Sequence, residues 1–194
     1  MIGAVSDGLV EEVAALLKAH PTLNLGHRNK WGTTALHEAS LSGQAEIVKL
    51  LLAHPTINVD LQRNVSVGYV GGTPLDFGCS RGKVSVVQLL LKDPRVDASL
   101  ADGYGRTPLW KASCQGLIEI VEWLIASGKD LGDLNKKVEQ ERDGKPREFT
   151  VLEIAMERID NGKLVVSLLK KFMANSTQTR HEVRVKLGER GFGC

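Results

Sequence analysis

The chain has 194 residues, of which 42% are hydrophobic and 25% charged, with a formal net charge of +2. That balance fits one soluble domain with an apolar interior and is too near neutral to imply a nucleic-acid partner. No run approaches the roughly 20 apolar residues that cross a bilayer, and Met1-Ile2-Gly3-Ala4 opens no basic-then-apolar leader, so neither a membrane span nor a secretory signal is expected.

The first element is brief: Ala4-Val5-Ser6-Asp7-Gly8, followed by Val13, Leu16 and Leu17 at helical spacing. It reads as a repeat unit entered partway, either a shortened cap or the remainder of a longer copy. Ser6, Asp7, Glu11, Glu12 and Lys18 supply the polar outer face that a terminal unit needs. The second copy is fuller: Gly32-Thr33-Thr34-Ala35-Leu36-His37 through Gly43, then Ile47, Val48, Leu50, Leu51 and Leu52. The third runs from Gly72-Thr73-Pro74-Leu75-Asp76 to Gly82, with Val86, Val87, Leu89, Leu90 and Leu91. The fourth is the clearest, Gly105-Arg106-Thr107-Pro108-Leu109-Trp110 to Gly116, with Ile120, Val121, Leu124 and Ile125. A looser fifth begins at Thr150-Val151-Leu152-Glu153 and continues in Val165, Val166, Leu168 and Leu169, with Asn161-Gly162, two residues that tolerate αL geometry, at its inter-helix turn.

Each full copy predicts the same local structure. Thr is a competent N-cap, Pro suits the first helical turn, where its missing N–H had no partner, and Gly ends the helix without a Cβ penalty. A second, apolar-striped helix follows. Thr34, Thr73, Thr107 and Thr150 recur at intervals of 39, 34 and 43 residues. His20-Pro21, His54-Pro55 and Asp93-Pro94 break the second helices, because the residue before proline avoids the αR region. On these motifs the chain resembles the ankyrin-repeat family, whose repeat is roughly 33 residues long. The resemblance covers about residues 4 to 172 and implies an all-α solenoid of about five helix-turn-helix repeats with β-hairpin fingers. The copies are expected over 1–26, 27–60, 61–98, 99–131 and 132–174, the first truncated and the last degenerate, with a basic tail or cap at 175–194. The family's Thr-Pro-Leu-His survives as a histidine only at His37; Asp76, Trp110 and Glu153 replace it.

Two insertions lengthen the fingers. Gln62 to Gly71, rich in Val and flanked by Gly, reads as an extended hairpin; Asn135 to Phe149, mixed in charge around Asp143-Gly144, reads as a solvated one. In the tail, Val183, Val185 and Leu187 alternate as in a strand, but the expected structure is a short capping helix with a frayed end. Being in a degenerate copy, Leu169 is expected to contribute less to stability than Leu90.

Catalytic and metal-site patterns are absent. Cys79 and Cys114 occupy small, inward positions of first helices and read as buried free thiols in a reducing compartment, the cytoplasm or nucleus. No Cys/His pairs have zinc spacing, no nucleophile motif occurs, and the glycines are not gathered into a phosphate cradle. No cofactor or metal is therefore expected. His37 is assigned a structural role, hydrogen-bonding the neighbouring turns. Asn58 stands where the family's asparagines can be hydroxylated, a resemblance weakened here by the extra His-Pro turn.

What remains is surface. Three positions before the anchoring threonines stand Trp31, Val70 (beside Tyr69) and Tyr104, aromatics that the Leu/Val/Ile core does not need. Interfaces favour such rings. With Lys30, Arg81, Arg106, Lys111, Gln115 and Arg147 they are expected to line one mixed aromatic and basic groove, on the concave face that the resemblance implies. The expected function is a non-catalytic scaffold or adaptor, a monomer binding another protein. The alternative is a targeting or regulatory segment of a larger enzyme or receptor.

Overall fold

The structure, a computed structural model, describes residues 1–64, 71–142, 144–158 and 160–188. Two compact units divide the chain, Met1–Val96 and Asp97–Cys194.

The first unit holds α1 (Ile2–Ser6), α2 (Val10–Ala19), α3 (Ala35–Ser42), α4 (Ala45–Leu52), α5 (Pro74–Ser80) and α6 (Val84–Lys92). They form two layers. First helices pack in the row α1, α3, α5, and second helices in the row α2, α4, α6. Val13, Leu36, Ile47, Leu51, Val86 and Leu90 fill the space between, all fully buried. The proline turns tie one copy to the next. Thr56 Oγ1 donates to Leu23 O at 3.1 Å, and Arg95 Nη2 donates to Leu52 O at 2.8 Å.

The second unit holds α7 (Pro108–Cys114), α8 (Ile118–Ser127), β1 (Val138–Arg142), β2 (Lys145–Phe149), α9 (Val151–Met156), α10 (Gly162–Ala174) and α11 (Ser176–Lys186). Helix α7 packs on α8 and α9, α10 packs on α8 and α9, and α11 lies against α8 and α10. Leu109, Leu124, Ile154, Val165 and Leu169 form its fully buried core.

The four threonines cap as their sequence context requires. Thr34, Thr73, Thr107 and Thr150 each accept the backbone N–H of the residue three positions on, His37, Asp76, Trp110 and Glu153. In three of the four the reciprocal bond also forms, back to the threonine N–H, at 3.3 Å from His37 Nδ1, 3.1 Å from Asp76 Oδ2 and 2.8 Å from Glu153 Oε2. The family histidine is thus replaceable by any short acceptor. Indole has no acceptor, so at Trp110 this half of the box is missing and the ring is used for packing, 4% exposed.

Several expectations change. Neither Asn161 nor Gly162 is left-handed: Asn161 has φ −97°, and Gly162 opens α10. Glycine is needed at 162 for close approach, since a Cβ there would stand 2.4 Å from Ala155 O. Cys79 is buried, but Cys114, at the last turn of α7, is half-buried. In the tail the expected capping helix forms over residues 176–186, with Val183 buried and Val185 68% exposed. Leu169 is as fully buried as Leu90. The 62–71 insertion lies mostly outside the described residues.

The 135–149 insertion is an antiparallel hairpin in which Val138 faces Phe149 and Gln140 faces Arg147. Its outer part is exposed, but Val138 and Phe149 at its base are 3% and 8% exposed. The hairpin is therefore rooted in the core and solvated only beyond its root. Replacing residues 139–147 by a short Gly-containing turn should leave the melting temperature nearly unchanged, because loop length enters stability logarithmically. Carrying the cut through Val138 should cost about 1.5–3 kcal/mol, the value of a buried aliphatic side chain. Urea unfolding of the two deletions separates the cases; equal stabilities would place Val138 outside the core.

Candidate interaction surface

The finger tips are built by one device used twice. Five positions before the anchoring threonine stand Asn29 and Asp102. Asn29 Oδ1 accepts the N–H groups of Trp31 at 2.9 Å and Thr33 at 3.1 Å; Asp102 Oδ1 accepts those of Tyr104 at 2.9 Å and Arg106 at 3.0 Å. A short side chain that binds its own backbone two residues on closes a tight turn. Gly32 and Gly105 complete each turn at φ 73° and 81°. The aromatic just before the glycine is left at the apex, with Trp31 51% and Tyr104 57% exposed.

The other end of each Asx side chain locks the turn to the following helix. Asn29 Nδ2 donates to Glu38 Oε1 at 3.1 Å, and Thr33 Oγ1 donates to the same oxygen. In the second unit the charges are exchanged: Asp102 Oδ2 accepts Arg106 Nε at 2.9 Å and Lys111 Nζ at 3.0 Å. Asp102 is fully buried as a side chain, and the Lys111 side chain is 15% exposed. Burying that carboxylate is tolerable only because both cations meet it. Arg106 and Lys111 thus serve the turn before they serve any partner.

Cations also stack on the exposed rings. Lys30 Nζ lies 4.5 Å from the centre of the Trp31 ring, and the Arg106 guanidinium lies 4.6 Å from that of Tyr104. In the first unit Arg63 Nε donates to Trp31 O at 2.8 Å, and Arg28 Nη1 donates to Gly32 O and Gln62 O at 2.9 and 2.7 Å. These bonds staple the first tip to the chain at 61–64.

The residues expected to line one groove are not all gathered together. Lys30 and Trp31 share one tip, and Tyr104, Arg106 and Lys111 another. Arg81 and Gln115 are exposed at the C-terminal ends of α5 and α7, a helix length from their tips. Gln115 borders a cleft with Glu157, Arg158 and Asn161. Arg147 is exposed on β2, and Tyr69 and Val70 lie outside the described residues. Tyr104 and Arg106 face Glu139, Gln140 and Glu141 across a cleft of about 300 Å³, so this tip is mixed in charge. The Asx turns escaped the sequence reading, although an Asn or Asp five residues before a capping Thr was there to see.

His37, at the start of α3, is buried behind the first tip. It is fully buried, its Nδ1 lies 2.8 Å from Thr34 Oγ1, and its Nε2 lies 3.0 Å from Gly72 O. A carbonyl can only accept, so Nε2 carries the proton. Desolvation lowers its pKa from 6.5 to about 4, against the opposing pull of the Gly72 carbonyl and helped by Arg28 and Arg63. It is a neutral strut between two copies. Among the described residues no group of His, Cys, Asp or Glu is placed to hold a metal ion, and no helix is long and apolar enough to cross a membrane.

The model of the family described as ankyrin repeats matches in three copies, over residues 1–64, 57–138 and 80–180. The chain belongs to the ankyrin-repeat family. A curated relative, ankyrin repeat domain-containing protein 29 of Danio rerio, is 40% identical over 55 residues, which is 28% of this chain and 18% of that protein. The chain thus matches less than a fifth of that relative's length. Ankyrin repeats are protein-interaction modules, generally without catalytic activity.

Proposed function

We propose that this ankyrin chain is a non-catalytic adaptor, a monomer of about five repeats, that binds a partner protein through its finger tips. The observation that carries this reading is the recurrence of a large aromatic at one repeat position, exposed at both Trp31 and Tyr104 and held by an Asx turn in each. Rigid rings lose little conformational freedom on binding and make good anchors. A reducing compartment, cytoplasm or nucleus, is proposed because Cys79 and Cys114, set in the first helices, are not joined in a disulfide.

Trp31→Ala and Tyr104→Ala should each leave stability within about 0.5 kcal/mol, since neither ring is in a core. Each should weaken binding to the captured partner by roughly 2 kcal/mol or more. Lys30→Glu tests steering: Lys30 is exposed and its contact is the Trp31 ring, so reversal should slow association in a salt-dependent way. Arg106 suits this test less, because its loss would strip a cation from the buried Asp102. Titration of each variant, beside its unfolding curve, decides: unchanged affinity in both ring variants removes the tips as the binding site.

A further inference from the structure

Counted from the glycine between the two helices of a copy (Gly43, Gly82, Gly116), the positions six, seven and ten residues on are Lys49, Leu50 and Ala53 in α4 and its C-cap, Gln88, Leu89 and Lys92 in α6, and Glu122, Trp123 and Ala126 in α8. In α4 and α6 these positions are exposed or half-exposed. In α8 all three are buried, with Glu122 at 7% and Trp123 at 4%. Helix α8 is buried nearly all round, as a helix is only when something covers its outer face. The cover is α11, seated against α8 and α10.

The cover fits the groove by charge much more than by apolar surface. Thr179 and Val183 are the buried residues of α11. Arg184 Nε donates to Ala126 O at 2.7 Å, Arg180 Nη2 donates to Lys129 O at 3.4 Å, and Lys186 pairs with Glu122. The Arg180 guanidinium lies 5.3 Å from the Phe172 ring centre. The groove therefore presents a negative rim, made of the carbonyl end of α8 and the Glu122 carboxylate, around an apolar floor of Trp123, Ala126 and Phe172. Its resident is a weak helix former. Thr177, Thr179, His181, Val183 and Val185 all fall in the lower ranks of helix propensity, and a helix of 11 residues has little stability of its own.

We propose that the α8–α10 groove is a docking site for a basic amphipathic helix of a partner protein, and that α11 is its releasable occupant. The partner helix repeats the cations of α11, matched to the carbonyls of Ala126 and Lys129 and to Glu122, and carries stronger helix formers where α11 has the exposed Thr177 and His181. It wins the groove by that greater helix propensity. The site is separate from the finger tips, and its failure would leave the tip reading unaffected.

Hydrogen exchange on the full chain comes first. Amides of α11 should exchange at least about 100-fold faster than those in the middle of α10, as a sub-global opening requires. The probe is a fluorescein-labelled peptide of residues 176–186 carrying Thr177→Ala and His181→Ala, which raise helix propensity at exposed positions. It should bind full-chain Val183→Asp, whose α11 is unseated, at least about 10-fold more tightly than the wild type, because the closed state no longer competes. Adding Glu122→Lys to that variant should abolish the gain. Lys186→Glu, which loosens α11 without placing a charge in the apolar floor, gives the same reading if Val183→Asp fails to melt cooperatively. Equal protection of α11 and α10, or equal peptide binding by wild type and both variants, would make α11 a permanent cap. A concentration-dependent dimer formed by exchange of α11 in light scattering would give the groove to a second copy and overturn the assignment to a partner.

Discussion

Acidification from pH 7 to pH 4 is expected to remove about 3 kcal/mol of stability through His37 alone, the value of a shift from 6.5 to about 4. The sign follows from which state binds the proton. Folded, the imidazole is neutral: burial disfavours the cation, Nε2–H is spent on Gly72 O, and Nδ1 faces Thr34. Unfolded, it titrates near its ordinary value. Between pH 6.5 and about 4 the unfolded chain takes up a proton that the folded chain refuses, so stability falls as pH falls through that window and levels off below it. His37→Gln isolates the effect, because every other titrating group is common to both proteins. Urea unfolding across the pH range should show the stability gap between wild type and His37→Gln narrowing by that amount on going from pH 7 to pH 4. A gap that stays constant would mean that His37 titrates normally in the fold.

The repeats were legible because their signals are local. A threonine cap acts within one turn of chain, and the structure uses it at Thr34, Thr73, Thr107 and Thr150, with an acceptor three residues on in all but the Thr107 copy. What could not be read is what depends on a distant neighbour. Lys111 looked like a surface cation until Asp102 turned out to be buried beneath it. The capping helix at 176–186 was expected, but not its seat on α8, which Arg184 reaches through the carbonyl of Ala126. Likewise the charged composition of 135–149 concealed the two apolar residues, Val138 and Phe149, that root it. At the finger tips the exposure of Trp31 and Tyr104 was foreseen from position, while the Asx turn that makes each tip rigid was not.

The same dependence on neighbours sets the last expectation. Read as sequence, Leu169 belongs to a degenerate copy and should contribute less than Leu90. In the structure both side chains are fully buried. Leu90 lies in α6, which packs on α4 and α5; Leu169 lies in α10, which packs on α8, α9 and α11. In a repeat protein a side chain's contribution is set by the neighbours that cover it, and α11 gives α10 a cover that a plain terminal repeat lacks. Leu90→Ala and Leu169→Ala are therefore both expected to cost about 2–5 kcal/mol, the lost transfer term plus the cavity left behind. Urea unfolding of each variant, followed by far-UV circular dichroism, gives the comparison. Since the substitutions fall in different compact units, each should shift the transition of its own unit if the two unfold separately. A cost for Leu169→Ala of less than about 1 kcal/mol, the range of surface changes, would mean that α10 relaxes around the gap and that α11 does not hold it. A cost equal to that of Leu90→Ala would show that the last repeat, irregular as its sequence is, is packed as tightly as the third.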